Sequence, residues 1–419
     1  MPSLKKRNKQ LFLVLIICVG VLALLLGLLY VTNEKHDVVS KEDKKVVVNK
    51  DHYGEFVIAN KKTELFMKKT KKFKKVGFIA ENQKLQLDIS KKDYGKYLKI
   101  KDSEYYVATK NLKKTDDFVY EENYRRYLPF NENVVTKDKV NLYDNVGNIA
   151  YTLEKSIDAP IYVKKNEMNY IVFNHELYGV KAEDTKEVRA NANTDQANAT
   201  RVPVFMYHFF YDEQAGEIAK DNNFTEIHKF REELDYAKQN GYQSVKMKDL
   251  DLYLDGAIQL PQKSFVISMD DNAESVKRLA YPALEETQTY ATNFVISSWT
   301  EDFESIKSNY IELQSHSDAM HQGGCSGMGH GGRLMCIDYQ SGVNDLTTSS
   351  QKLYGAFVLC YPFGDYNDEA KKILKDAGYT MAFTVEYGYT KPGMDKLQLP
   401  RVRMSNSTTV ASFAALLEG

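Results

Sequence analysis

Phe265-Val266-Ile267-Ser268-Met269-Asp270-Asp271-Asn272 decides the fold. Five apolar or small residues without alternation describe a strand buried on both faces, which belongs to a parallel sheet covered by helices. The run ends directly on two carboxylates. In parallel α/β domains the carboxyl ends of the strands carry the site, because their loops converge on one mouth. Two adjacent carboxylates there are costly unless a cation separates their roles, one ligating it and the other left as a base. Outward from this stretch, Val202 to Tyr207, Thr292 to Ile296, Phe357 to Tyr361 and Thr380 to Val385 repeat the apolar run. Helical faces lie between them, with Phe230, Leu234 and Ala237 ahead of Gly241, and Ala370, Ile373 and Leu374 ahead of Gly378. Residues 201–419 therefore read as an α/β domain, either a (β/α) barrel or an open sheet.

Ligand partners for the Asp pair appear in Gln314-Ser315-His316 and His321, two imidazoles five apart at a strand exit. One carboxylate and two imidazoles can share an ion and leave positions open for water and substrate. His208 ends the first strand, and its reading is open between a satisfied core histidine and a proton donor at the mouth. Backbone N–H groups at the Pro362 to Gly364 turn suit an oxyanion.

Five ordered motifs then share a resemblance. Val-Pro-Val-Phe-Met-Tyr-His at 202–208, Asp270-Asp271, Ala291-Thr292-Asn293-Phe294-Val295, Gln314-Ser315-His316 through His321, and Tyr361-Pro362-Phe363-Gly364-Asp365-Tyr366-Asn367 resemble the polysaccharide deacetylase family, carbohydrate esterases with a NodB homology domain. The resemblance covers 201–419 and implies a distorted (β/α) barrel of the NodB type. It further implies a hydrolase of carbon–nitrogen bonds, with Asp270 as general base and Asp271, His316 and His321 holding one divalent metal. Zinc is the first expectation; cobalt, manganese and nickel fit the same set. Metal-bound water would attack an acetamide, with the Tyr361 N–H at the oxyanion and Pro362 and Asp365 on the substrate side. The five-residue histidine spacing matches the branch that deacetylates poly-N-acetylglucosamine in Gram-positive envelopes. No histidine follows His330, so the catalytic acid falls to His208, as that branch also favours. The usual Thr-Phe-Asp-Asp-Gly reads Ser268-Met269-Asp270-Asp271-Asn272, so the turn lacks its glycine. Arg401 and Arg403, on a late strand, orient the base, bind substrate or form a structural ion pair. Trp299, the sole tryptophan, stacks a sugar ring or belongs to the core.

Gly323 to Gly332 (GGCSGMGHGG) follows His321 and reads as a mobile lid over the groove. Cys325 and Cys336 flank it and are the preferred disulfide; a pairing with Cys360, and three free thiols, stay open. A second metal site on Cys325, His330 and Cys336 is the competing reading of that loop.

The amino-terminal half differs. Leu11 to Val31 is free of charge and long enough to cross a bilayer, preceded by Lys5, Lys6, Arg7 and Lys9. It reads as an uncleaved anchor after a cytoplasmic tail of residues 1–10, with everything beyond in the cell-wall space. A stalk over 32–55 leads to two small all-β units, 56–117 and 128–186, that resemble bacterial SH3-like domains. Val76-Gly77-Phe78-Ile79-Ala80 recurs as Val146-Gly147-Asn148-Ile149-Ala150 and suggests two copies of one fold. These units bind wall polymer or serve as a spacer. Small polar residues at 187–200 read as a linker.

The totals are 419 residues, 56 Lys+Arg against 57 Asp+Glu, and a net charge of -1, which excludes a nucleic-acid binder. The expectation is a membrane-tethered, monomeric N-deacetylase of a cell-wall glycan. The alternatives are a weakened esterase domain that binds wall, motivated by Met269 and Asn272, and an O-deacetylase.

Overall fold

The computed structural model describes residues 55–88, 96–120, 122–191 and 197–419. The tail, the anchor at 11–31 and nearly all of the stalk lie outside the described residues. Among the described residues no helix is long and apolar enough to cross a membrane.

The first β unit contains β1 (Phe56–Ala59), β2 (Thr63–Lys69), β3 (Lys72–Ile79), β4 (Lys84–Gln86), β5 (Tyr97–Lys99) and β6 (Tyr105–Ala108). A 3-10 turn over Thr109–Asn111 leads to β7 (Leu112–Lys114). The second contains β8 (Glu132–Thr136), β9 (Val140–Tyr143), β10 (Ile149–Leu153), β11 (Asp158–Lys165), β12 (Met168–Phe173) and β13 (Glu176–Lys181). A 3-10 turn over Ala182–Asp184 leads to β14 (Thr185–Ala190). The pairings repeat as well. β1 lies between β4 and β7 as β8 lies between β11 and β14. β2 pairs with β3 and β6 as β9 pairs with β10 and β13. Alternation buries one face of each: Val57, Leu65 and Val107 in the first unit, Leu142, Ile171 and Val180 in the second.

The duplicated fold is thus present, but the matched pentapeptides are not its equivalent positions. Residues 76–79 end strand β3, whereas 146–148 form the turn before β10, with Gly147 at φ 89°. The two stretches instead meet. β3 pairs antiparallel with β10, Gly77 lies opposite Leu153, and Ala80 N–H donates to Ala150 O at 2.8 Å. A Cβ on Gly77 would fall 2.2 Å from Thr152 O, so the glycine permits this close approach. The expected linker also begins inside a strand, since β14 reaches Ala190 and pairs with β8. At its far end Ala199 is buried, with its N–H on Leu260 O.

The second unit and the segment that leads into it touch the α/β domain: Lys164 N–H donates to Ala257 O at 2.8 Å. Arg126 donates through Nε and Nη2 to Asp249 Oδ2 at 3.0 and 2.8 Å, and Tyr127 OH donates to Oδ1 at 2.6 Å.

The α/β domain runs β15 (Val204–Tyr207), β16 (Phe209–Tyr211), β17 (Phe224–Glu226), α1 (Ile227–Gln239), β18 (Gln243–Ser244), α2 (Met247–Leu254), β19 (Ser264–Met269) and α3 (Tyr281–Thr287). It continues through β20 (Ala291–Val295), β21 (Ile311–Ser315), α4 (Tyr339–Lys352), β22 (Val358–Cys360), α5 (Asp368–Asp376), β23 (Met381–Tyr387), β24 (Leu399–Arg403) and α6 (Val410–Glu418). Seven parallel strands follow the order β15-β24-β23-β22-β21-β20-β19, and β15 pairs back onto β19. Closure settles the choice between barrel and open sheet. All six residues of β19 are buried, as the unbroken apolar run requires. On α1, Phe230, Leu234 and Ala237 face inward as expected, and Glu226 caps the helix through His228 N and Lys229 N.

One acid breaks the inward pattern of α1. Glu233 is 1% exposed and accepts from Tyr207 OH at 2.8 Å. Burial pushes its carboxyl up to about 8, against the hydrogen bond from Tyr207 and the Lys229 charge. A raised folded-state pKa means that stability is complete below the unfolded value near 4.5 and is lost as pH rises toward 8. Glu233→Gln removes that loss, and the variant gains on the parent from nothing near pH 4.5 to up to about 3 kcal/mol at pH 7. Urea unfolding of both proteins across this range checks it.

Candidate metal and catalytic centre

β19 delivers Asp270 and Asp271 to the barrel mouth. Asp270 N–H donates to Tyr207 O at 3.0 Å, which holds the strand end against β15. Asp271 and Asn272 then adopt φ 72° and 52°, left-handed values at which glycine is the usual choice. Asn tolerates this region, and its side chain is fixed on both sides: Nδ2 donates to Thr300 Oγ1 at 3.1 Å, and Oδ1 accepts from Asn293 Nδ2 at 2.8 Å. The missing glycine is therefore replaced by a held asparagine, and the turn survives.

Asp270 is the most tightly held group of the site. Arg401 reaches it with two parallel bonds, Nη1 to Oδ1 at 2.8 Å and Nη2 to Oδ2 at 2.9 Å. Burial alone would raise the Asp270 carboxyl, but the Arg401 guanidinium, with smaller help from His208 and His316, holds it well below the usual carboxylate range. Arg401 is itself 1% exposed and also donates to Thr384 O and Ser268 Oγ. It fixes the Asp270 carboxylate and has no reach to solvent. Two positions on, Arg403 stands at the mouth and donates to Asn223 Oδ1. Cys360 Sγ completes the cradle, 3.3 Å from Asp270 Oδ2 and 2.9 Å from Arg401 Nη2. Sequence reasoning placed no role on this thiol beyond disulfide pairing; its position at the end of β22, beside the Tyr361 motif, was the available signal.

The ligand set converges on one atom. His316 Nε2 and His321 Nε2 each lie 3.3 Å from Asp271 Oδ1. That oxygen is buried and accepts no hydrogen bond. Four-coordinate ligands at ~2.0–2.2 Å from an ion sit ~3.3–3.6 Å apart, so the spacing fits a bound divalent cation. His316 Nδ1 lies 2.7 Å from Cys360 O; donating its N–H there leaves Nε2 as the ligand atom. Burial, then the neighbouring His316, lowers the His321 pKa and favours the neutral ligand form.

His208 lies on the other side of the base, with Nε2 3.7 Å from Asp270 Oδ2 and Nδ1 buried without a partner. Burial lowers its pKa, and the Asp270 and Asp271 charges oppose that shift. It lines a cavity of about 350 Å³ together with Asp270, Asp271, His316, His321 and Phe363. The open reading of His208 thus falls on the mouth.

Three expectations change. Tyr361 N–H donates to Phe383 O at 3.0 Å within the sheet, so it is unavailable to an oxyanion, and its hydroxyl is spent on Leu397 O. Pro362 is buried at the start of the turn, and Phe363, at φ 60°, carries the chain along the cavity instead. Asp365 does not face substrate. It is 4% exposed and accepts from His330 N, His330 Nδ1 and Gly332 N at 2.8 to 2.9 Å. The Gly-rich segment is thereby clamped, and two of its glycines serve close packing: a Cβ would lie 2.3 Å from Asp365 Oδ1 on Gly329 and 3.0 Å from Asp365 Oδ2 on Gly332. A disulfide joins Cys325 and Cys336 across the same segment, and Cys360 is free and buried. With both sulfurs bonded, the competing metal site on that loop is excluded. The segment expected to act as a lid is tied to Asp365 and bridged by the disulfide. Trp299 is 65% exposed and meets His321 edge-on at 5.6 Å, which places it on the rim and outside the core.

Removing one partner of a buried ion pair costs about 3–5 kcal/mol because the other charge stays unpaired. Arg401→Leu is therefore expected to lower stability by that amount, and Arg401→Leu with Asp270→Leu to recover most of it, read by denaturant unfolding.

Residues 257–382 match the family model described as polysaccharide deacetylase. The Bacillus subtilis protein YxkH is 26% identical over 259 residues, 57% of this chain and 86% of the relative. The Staphylococcus aureus poly-beta-1,6-N-acetyl-D-glucosamine N-deacetylase is 22% identical over 254 residues, 55% of this chain and 86% of the relative. Among solved structures, the Streptococcus pyogenes deacetylase PplD in complex with acetate aligns with a TM-score of 0.45 at 20% identity, covering 53% of this chain and 100% of that one. The carboxylate pair and both histidines at the mouth of the seven-stranded barrel lie within the residues that match the polysaccharide deacetylase model.

Proposed function

We propose that the chain is a metal-dependent N-deacetylase that releases acetate from N-acetylglucosamine residues of a cell-envelope glycan. Peptidoglycan, an exported poly-N-acetylglucosamine and the linkage sugar of a wall polysaccharide are its candidate substrates. The observation that carries this reading is the unpartnered Asp271 Oδ1 lying 3.3 Å from two imidazole nitrogens, beside a second carboxylate already committed to Arg401.

Asp271, His316 and His321 would hold the ion, which when bound polarises the acetamide carbonyl and makes water a competent nucleophile. Asp270 accepts a proton from the attacking water; Arg401 keeps its carboxylate aimed and ionised. The carbon–oxygen bond forms, the carbon–nitrogen bond breaks, and His208 supplies the proton that the departing amine needs. The turn at Phe363, with Tyr361 N–H spent in the sheet, is the backbone segment we assign to the oxyanion. Trp299 on the rim offers a flat face to a sugar ring.

The tether and the β pair belong to the same proposal. The apolar run at 11–31 with its basic flank supports a single-pass anchor, and the disulfide Cys325–Cys336 is consistent with an oxidising space outside the cell. The two seven-strand units, each with a 3-10 turn before its last strand, support an SH3-like reading and a role in holding the catalytic barrel near the wall.

Full-length protein loaded with zinc is expected to release acetate from an N-acetylated wall fraction and to lose that activity to a chelator. No acetate from any N-acetylated glycan, with no effect of chelation, overturns the assignment. Asp270→Asn keeps its metal while turnover falls at least ~100-fold, whereas His316→Ala loses both. Metal content by elemental analysis beside acetate release separates the two roles, and equal metal loss in both variants contradicts them.

A further inference from the structure

Away from the barrel mouth, three side chains bring one ligand atom each into a second cluster. Asp212, Glu226 and His228 place carboxylate oxygens and an imidazole nitrogen within 4.8 Å of one another. Asp212 follows β16, Glu226 ends β17 and His228 lies in the first turn of α1, so the cluster joins both ends of the segment 212–223 to the start of the helix.

The cluster contains two buried atoms with nothing to bind. Glu226 is 4% exposed; Oε2 caps α1 through His228 N at 2.7 Å and Lys229 N at 3.0 Å, and Oε1 has no partner. His228 Nε2 is likewise buried without a partner, 3.6 Å from Asp212 Oδ1. A buried carboxylate oxygen that accepts nothing costs free energy, and the α1 N-terminus already occupies the other oxygen. Two carboxylates and an imidazole match the donor preference of a first-row divalent ion, and 3.6 Å is the separation of two ligands in a four-coordinate shell.

We infer that Asp212, Glu226 and His228 form a second, structural divalent-cation site, with zinc as the ion that best suits the set. The ion would tie the 212–223 segment to α1. Asn223, near the end of that segment, lines the catalytic cavity and accepts from Arg403, so the tie steadies one wall of the mouth. Neither the identity of the glycan nor the proposed chemistry enters this assignment.

The test uses full-length protein and Zn²⁺ alone. His316→Ala with His321→Ala removes the catalytic ligands and isolates the second site. This double variant is expected to retain one equivalent of zinc by equilibrium dialysis and elemental analysis, and to melt at a higher temperature when zinc is added. Adding His228→Gln, at a side chain 43% exposed, is expected to abolish both the equivalent and the thermal shift. Asp212→Ala in the same background serves as an independent variant and is expected to weaken zinc binding at least tenfold. Circular dichroism confirms that each variant is folded. A folded double variant that holds no zinc, or zinc retained unchanged after both His228→Gln and Asp212→Ala, overturns the site.

Discussion

A single guanidinium inside the barrel holds the candidate site together. Arg401 enters from β24 and reaches Asp270 beyond β19, Thr384 on β23 and Cys360 on β22. A charge pair with both members under 3% exposed is expensive to desolvate, and it persists only because two parallel bonds and neighbouring acceptors satisfy nearly every donor. Its consequence is geometric: the two adjacent carboxylates keep different partners. Asp270 belongs to Arg401 and Asp271 faces the histidines. Under the proposed function, that division would let one strand end supply both a ligand and a base.

Around this pair the mouth is assembled from fixed parts. Asn272 holds the left-handed turn that aims Asp271, Cys360 O orients His316, and Asp365 with the disulfide clamps the Gly-rich wall. Each support is a hydrogen bond or covalent link from a neighbouring strand or loop, so the site is organised before any substrate arrives. Away from the mouth, Asp249 accepts Arg126 and Tyr127 and gives the segment between the two β units a defined seat on the α/β domain.

How far a pattern could be read depended on how local its cause is. The unbroken run Phe265 to Met269 announces a doubly buried strand because burial on both faces removes alternation, and all six residues of β19 are indeed inside. The candidate ligands Asp271, His316 and His321 could be picked out for the same reason, since residue type at a strand end is a local property. The duplicated β fold was legible as a composition of short strands, yet the pentapeptide that suggested it marks different positions in the two copies. A β strand tolerates many sequences on its exposed face, so five similar residues do not set register.

By itself, the amino-acid sequence determined the parallel α/β domain, the carboxylate pair and the histidines, because apolar period and side-chain chemistry act over a few neighbouring residues. Barrel closure, the pairing of Arg401 rather than Arg403 with Asp270, the loss of Tyr361 N–H to Phe383 O and the turn of Asp365 toward the Gly-rich wall were decided only in three dimensions. In each case the partner is distant in the chain, and which donor meets which acceptor follows from the register and closure of the sheet.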